Sequence, residues 1–165
     1  MSLRRLLPVV GADAAAWACV QVGSGYLAHR LPDRVLDHDG WLLRERRWER
    51  DGRFYVETAR IRRWKALLPE AGDVFAGGLS KRALPGRAEA DLTALLRETR
   101  RAELAHWLMV APTPLFVIAN PAVLAPCMAV YALAVNLPCI AAQRYNRIRL
   151  RRTLARAGRA GGRVA

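Results

Sequence analysis

The sequence predicts an all-α membrane protein of about three transmembrane helices, the second and third paired as a hairpin, with a basic cytoplasmic or interfacial segment between the first and second. Three observations predict it. The chain of 165 residues is 53% hydrophobic yet 25% charged, with a net charge of +13, so in a chain of single-domain length the two kinds of residue have to be segregated. They are: 6–27, 104–118 and 122–142 hold few charges, while arginines crowd the stretches between and after them. Runs of that character suit a bilayer crossing. One membrane domain results, with a first span at 6–27, a polar segment at 28–101, a hairpin at 102–143 and a basic tail at 144–165.

The first span follows Arg4 and Arg5 and contains Asp13 and Gln21. A basic start, an apolar run and the small residues Gly23, Ser24 and Gly25 also fit a cleaved signal peptide. Its length favours a retained span.

From His29 to Arg101 the chain carries 17 basic and 12 acidic residues, with Trp41, Trp48, Phe54, Tyr55 and Trp64 spread among them. Such interleaving suits a layer at the lipid headgroups, and equally a small polar subdomain with an aromatic core. Asp51-Gly52, between Trp48 and Phe54-Tyr55-Val56, is a turn signal able to close a short hairpin. Trp64 to Gly72 reads as an interfacial helix stopping at Pro69, and Gly77-Gly78 and Pro85-Gly86 mark a loop.

A helix starting near Glu89 runs into the second span until Pro112-Thr113-Pro114 kinks or breaks it. Asn120-Pro121 makes a tight turn. The third span, from about Ala122 to Ala142, is expected to break near Asn136-Leu137-Pro138 and to leave the membrane at Gln143. Eight arginines and no acid follow between Arg144 and Arg163.

Positive charge sets orientation. With the central segment and the tail inside, 25 of the 27 basic residues are cytoplasmic. The protein is then a multi-pass cell-membrane protein whose hairpin brings the clusters 98–106 and 143–149 to the cytoplasmic face, where an active site is expected.

Several function classes are excluded. Basic charge draws either nucleic acid or anionic lipid, and apolar spans without a nucleic-acid motif favour lipid. Cys19, Cys127 and Cys139 lie in apolar spans without CxxC spacing, and His29, His38 and His106 are not at ligand spacing, so no metal is expected. No histidine is followed five residues on by aspartate, and there is no GxSxG elbow, P-loop or GxGxxG fingerprint.

Two clusters carry chemistry. Thr99, Glu103 and His106 share one helical stripe, with Glu98 and Arg101 beside them. Ionisable groups near hydrocarbon are costly and mark function. A carboxylate three residues before a histidine can accept its ring N–H and orient it as a general base, so Glu103 and His106 are the expected catalytic pair, with Glu98 as a further catalytic candidate. At the end of the third span, Asn136, Gln143, Arg144, Tyr145, Asn146 and Arg147 present donors suited to phosphates or sugar hydroxyls. Arg144 and Arg147, with Arg101, are expected to hold the phosphates of an acyl donor. Asn136, Gln143 or Asn146 is expected to stabilise an oxyanion.

Four strings together resemble one family: Arg30-Leu31-Pro32-Asp33, Arg63-Trp64-Lys65, the run from Glu98 to Trp107, and Asn136-Leu137-Pro138 with Gln143 to Leu150. The chain resembles the glycosyl-4,4'-diaponeurosporenoate acyltransferase family over about 27–156. The resemblance implies transfer of a fatty acyl group, from acyl-CoA or acyl carrier protein, onto a sugar hydroxyl of a glycosylated carotenoid acid, the closing step of staphyloxanthin synthesis. No cofactor beyond the acyl thioester co-substrate is implied. The Pro112/Pro114 break and the stretch 67–72 depart from the staphylococcal pattern and leave another glycolipid open as acceptor. The residues alone also admit another lipid-modifying transferase, such as a methyltransferase, or a non-enzymatic scaffold for anionic lipid. The oligomeric state is left open.

Overall fold

A computed structural model describes residues 3–68 and 89–161. Every regular element among them is helical. Helix α1 runs Leu3–His29, the short helices α2, α3 and α4 run Asp33–Leu36, Arg53–Glu57 and Ile61–Trp64, and α5, α6 and α7 run Glu89–Val110, Thr113–Ala119 and Ala125–Gly161.

Three stretches are long and apolar enough to cross a membrane: Leu6–His29, Ala90–Ala119 and Ala125–Arg159. Val22, Leu115, Ile118, Val130 and Leu133 on them stay exposed, as apolar side chains facing lipid do. α5 and α7 pack along each other as the expected hairpin, and α1 lies against α5.

Proline explains one boundary and fails to explain another. α5 ends at Val110 and α6 starts at Thr113, with Pro114 near the start of α6, where a missing N–H costs little. Asn120, before Pro121, is extended (φ −93°, ψ 150°), as a residue preceding proline prefers. The expected break at Pro138, by contrast, is absent: α7 passes through it and continues to Gly161, so the basic tail is helical through that residue. Proline removes only one bond from such a ladder, and packing against α5 supports both sides of the gap.

The polar segment departs from expectation at Asp51-Gly52. No strand flanks it among the described residues; Arg50, Asp51 and Gly52 take positive φ values of 45°, 56° and 85° and join a 3-10 turn over Arg47–Gly52 to α3. Left-handed backbone is what Asp-Gly supplies, but here it links two helical turns. A Cβ at Gly52 would lie 3.3 Å from Ile148 Cγ2, so glycine also permits close approach to α7. Where an interfacial helix is expected to start, at Trp64, α4 instead ends and a 3-10 turn over Lys65–Leu67 follows; Pro69 to Gly72, Gly77-Gly78 and Pro85-Gly86 lie outside the described residues.

What holds this segment is a core of Tyr55, Ile61, Ala142, Tyr145 and Ile148, plus arginines reaching from the long helices. From α5, Arg97 pairs with Asp33 and Asp37, and Arg100 with Asp39 and the Leu36 carbonyl. From α7, Arg151 pairs with Asp39 and Arg152 with Asp51. The aromatic residues divide between the two expected settings: Tyr55 is buried in the core, whereas Trp41 and Trp48 are exposed.

Candidate active site

His106 and Asn136 meet across the α5–α7 hairpin. The ring Nδ1 lies 2.9 Å from Asn136 Oδ1, while Asn136 Nδ2 donates to the Ala132 carbonyl at 2.9 Å. The second bond decides the first. With the amide nitrogen committed to a carbonyl, Oδ1 faces the ring and can only accept, so Nδ1 carries a proton and, in the neutral ring, Nε2 keeps its lone pair. Asn136 is 3% exposed, which fixes its orientation by packing.

Glu103 is not the partner of His106. Its buried carboxylate accepts from Arg144 Nη1 at 2.9 Å, from Arg147 Nη1 and from Trp107 Nε1 at 3.3 Å. Three residues separate Glu103 from His106, but the two side chains diverge because two cations from α7 capture the carboxylate. The expected Glu103–His106 pair is therefore replaced by a His106–Asn136 pair and a Glu103–arginine clamp.

Arg144 makes five hydrogen bonds: to Glu49 through Nε and Nη2, to Glu103 through Nη1, and to the Leu42 and Arg44 carbonyls. These occupy all five N–H donors of a guanidinium, so none is left to hold an acyl donor's phosphate. Arg147 is similarly committed to Glu103, the Leu43 carbonyl and Asp39. Arg101 pairs with Glu98 and gives Nη1 to the carbonyls of Ala28, His29 and Leu31; it closes the carboxyl end of α1, where unpaired carbonyls and the helix dipole favour a cation. For these three arginines the expected ligand contacts give way to contacts that fold the polar segment onto the hairpin, and Glu98 is the counter-charge of Arg101.

Tyr145 and Asn146 fasten α4 and the turn after it, the Tyr145 hydroxyl accepting from Arg62 and Asn146 Oδ1 from Lys65 Nζ. A cavity of about 310 Å³ opens there, lined by Val56, Glu57, Arg60, Arg62 and Arg63. Nine residues separate Tyr145 from Asn136, so at 3.6 residues per turn the two lie on opposite sides of α7, and this basic cavity faces away from His106. Gln143 is partly exposed on the Asn136 side of the helix.

Glu49 completes the clamp. Burial raises its proton affinity, but bonds from Arg144, Tyr55 and the Arg46 amide outweigh that and hold the carboxyl below its usual range. Burial and the adjoining Glu49 carboxylate push the Tyr55 hydroxyl's pKa up in turn.

The model of the glycosyl-4,4'-diaponeurosporenoate acyltransferase family matches residues 39–156, a stretch that takes in the clamp from Asp39 onward, α5, most of α7 and the His106–Asn136 pair. The chain belongs to that family. Among relatives bearing this name, one from Staphylococcus haemolyticus is 31% identical over 150 residues, covering 91% of this chain and 87% of its own. One from Staphylococcus aureus is 29% identical over 138 residues, covering 84% and 83%. No solved structure matches. The protein is thus an acyltransferase, and neither the methyltransferase nor the scaffold reading is needed.

Sequence reasoning missed two partners in this acyltransferase. Asn136 is expected as an oxyanion donor, not as the histidine's orienting group, because 30 residues separate it from His106. Glu49 sits within the basic run from Arg44 to Arg53, and nothing in that run marks it as the one carboxylate facing a residue 95 positions away.

Proposed function

We propose that the acyltransferase crosses the cell membrane with three helices, its polar segment and tail on the cytoplasmic side, and moves a fatty acyl group from an acyl thioester onto a sugar hydroxyl of a glycosylated carotenoid or related glycolipid. His106 Nε2 takes the hydroxyl proton as the sugar oxygen forms its bond to the thioester carbonyl carbon. The C–S bond then breaks, and the thiolate of coenzyme A or acyl carrier protein leaves with that proton. Asn136 is a positioning residue. The observation that carries this reading is the His106–Asn136–Ala132 chain of hydrogen bonds, which puts the neutral ring's proton on Nδ1 and leaves Nε2 as the basic nitrogen.

The membrane setting supplies the acceptor. Exposed apolar residues on both sides of the hairpin give a lipid-borne acceptor lateral access along α5 and α7, with its sugar at headgroup level. Gln143, on the Asn136 side of α7 and without a protein partner among the described residues, is the donor we assign to the developing oxyanion. Arg101, Arg144 and Arg147 hold the surrounding wall, and Glu98 and Glu103 act through them.

Lipid mass spectrometry of cells carrying wild-type protein or His106→Gln, at matched membrane levels, tests the reading. The wild type adds one fatty acyl mass to a glycolipid and His106→Gln does not. Transfer retained in the variant removes His106 from the mechanism, and no mass change with either protein removes the glycolipid acceptor.

A further inference from the structure

Three buried side-chain polar atoms among the described residues make no hydrogen bond, namely Asp13 Oδ2, Trp17 Nε1 and Asn120 Oδ1, and all three belong to one cluster. Asp13 and Trp17 are one turn apart on α1 and share a stripe. Asn120 Nδ2 donates to Asp13 Oδ1 at 3.0 Å and to the Phe116 carbonyl at 3.0 Å. The Trp17 ring stacks on Phe116 with centroids 4.2 Å apart. The pair Asp13/Trp17 thus faces the pair Asn120/Phe116 in antiparallel order. Trp17 also meets the Tyr131 ring edge-on, and the Tyr131 hydroxyl accepts from Gln21 at 2.7 Å.

The cluster lies far from His106. Nineteen residues separate Asn120 from Arg101 and sixteen separate Asp13 from His29, so at about 1.5 Å per residue it sits roughly 24–28 Å from the end of the bundle where Arg101 closes α1. Under the membrane reading above, on which this inference rests for its setting, that is the far side of the bilayer, where a buried polar atom without a partner is costly. The mechanism uses none of these groups.

The open atoms specify a ligand. Two are acceptors and one is a donor, and Trp17 is 4% exposed. A bare cation leaves the indole N–H unanswered and a bare anion is repelled by the carboxylate. Hydroxyl chemistry answers all three, since O–H groups donate to Asp13 Oδ2 and Asn120 Oδ1 while an oxygen lone pair accepts from Trp17 Nε1. We propose that Asp13, Trp17 and Asn120 form an intramembrane hydroxyl-binding site between α1 and the α6–α7 turn, filled by a water molecule or by a hydroxyl-bearing lipid headgroup.

The full-length protein, labelled with ¹⁵N-tryptophan and placed in bilayers containing phosphatidylglycerol, tests this by solid-state NMR. The Trp17 indole signal is assigned by its loss in Trp17→Phe. It is expected at a hydrogen-bonded shift with a cross-peak either to water, which identifies water as the occupant, or to headgroup protons, which identifies the lipid. Repeating the spectrum in phosphatidylcholine, which lacks a headgroup hydroxyl, should abolish the second and keep the first. Asp13→Leu should move the Trp17 signal in either case. A non-hydrogen-bonded Trp17 indole without either cross-peak, unmoved by Asp13→Leu, overturns the site. Acyl transfer is not the readout, so failure here is separate from failure of the His106 reading.

Discussion

Glu103→Gln separates a clamp from a catalytic acid. In the wild type, Glu103 sits between Arg144 and Arg147, all three side chains being almost wholly buried. At an effective dielectric near 20 and a separation of about 4 Å each pair is worth roughly 4 kcal/mol before desolvation, and removing one partner of a buried pair costs about 3–5 kcal/mol. Glutamine keeps an acceptor for one arginine and for Trp107, and Arg144 keeps Glu49, so the low end, about 3 kcal/mol, is expected. By the scaling for domains of this size, that lowers the melting temperature by about 6–12 °C. Thermal unfolding in a single detergent, followed by circular dichroism, reads this directly, and transfer per folded molecule should stay within about a factor of ten of wild type, well short of the loss expected when a general base is removed. Adding Arg147→Met should restore much of the lost stability, because the charge left unpaired is removed with it. An unchanged melting temperature with transfer abolished would refute the clamp and return Glu103 to the chemistry.

The remaining predictions concern single contacts. Asn136→Leu, which leaves the ring of His106 without its orienting acceptor, should lower kcat by roughly tenfold to a thousandfold and alter its pH profile while the protein stays folded; Asn136→Asp should retain more activity than Leu, and equal rates for the two would show that Asn136 does not position the ring. Because the Glu49 pKa is held below the ordinary carboxyl value of 4.5, its contribution to stability is complete above that value and is lost as pH falls through the lower native one. Melting temperature should therefore decline on acidification below the ordinary carboxyl range, and Glu49→Gln should flatten that decline; an identical slope in the variant would count against the Arg144–Glu49 pair as its source. Arg101→Met should cost about 1–3 kcal/mol by stranding the carbonyls it caps, and limited proteolysis should then cut faster after Arg30 and Arg34; unchanged cutting would mean that α1 is closed by other contacts.

The parts of this fold visible in sequence are those set by local chemistry. Apolar runs gave the three long helices, and Pro112 and Pro114 gave the boundary between α5 and α6, since both depend on neighbours within a turn or two. Asp51-Gly52 and Pro138 misled for a related reason. Each states a backbone preference, left-handed for one and bond-breaking for the other, but whether that preference joins strands or helices, or ends a helix or merely dents it, depends on what packs alongside. At the candidate site, His106, Glu103 and Asn136 stood out as costly polar groups within apolar stretches, while their pairing was hidden. His106 and Glu103 share a stripe on α5, yet their partners come from α7, where Arg144 also holds Glu49, and no spacing rule within one helix reports on groups 41 or 95 residues apart.

Those distant partners also give the chain's arginine bias a physical use. Composition alone, 25 arginines against two lysines, is compatible with a mere bias in codon usage. The clamp, however, needs what lysine lacks: one Arg144 side chain joins two carboxylates and two backbone carbonyls at once, and Arg101 gathers three carbonyls and a carboxylate. A planar fork of five donors does this from one position, whereas an ammonium offers three donors around a single point and is more strongly hydrated. Beside the buried Ala28, Leu36 and Leu43, the carbonyls and carboxylates of the segment from Ala28 to Asp51 are handles by which α5 and α7 hold it. The same contacts that consume Arg101, Arg144 and Arg147 therefore fold the polar segment onto the long helices, and a chain with lysine at these three places would keep its positive charge while losing that support.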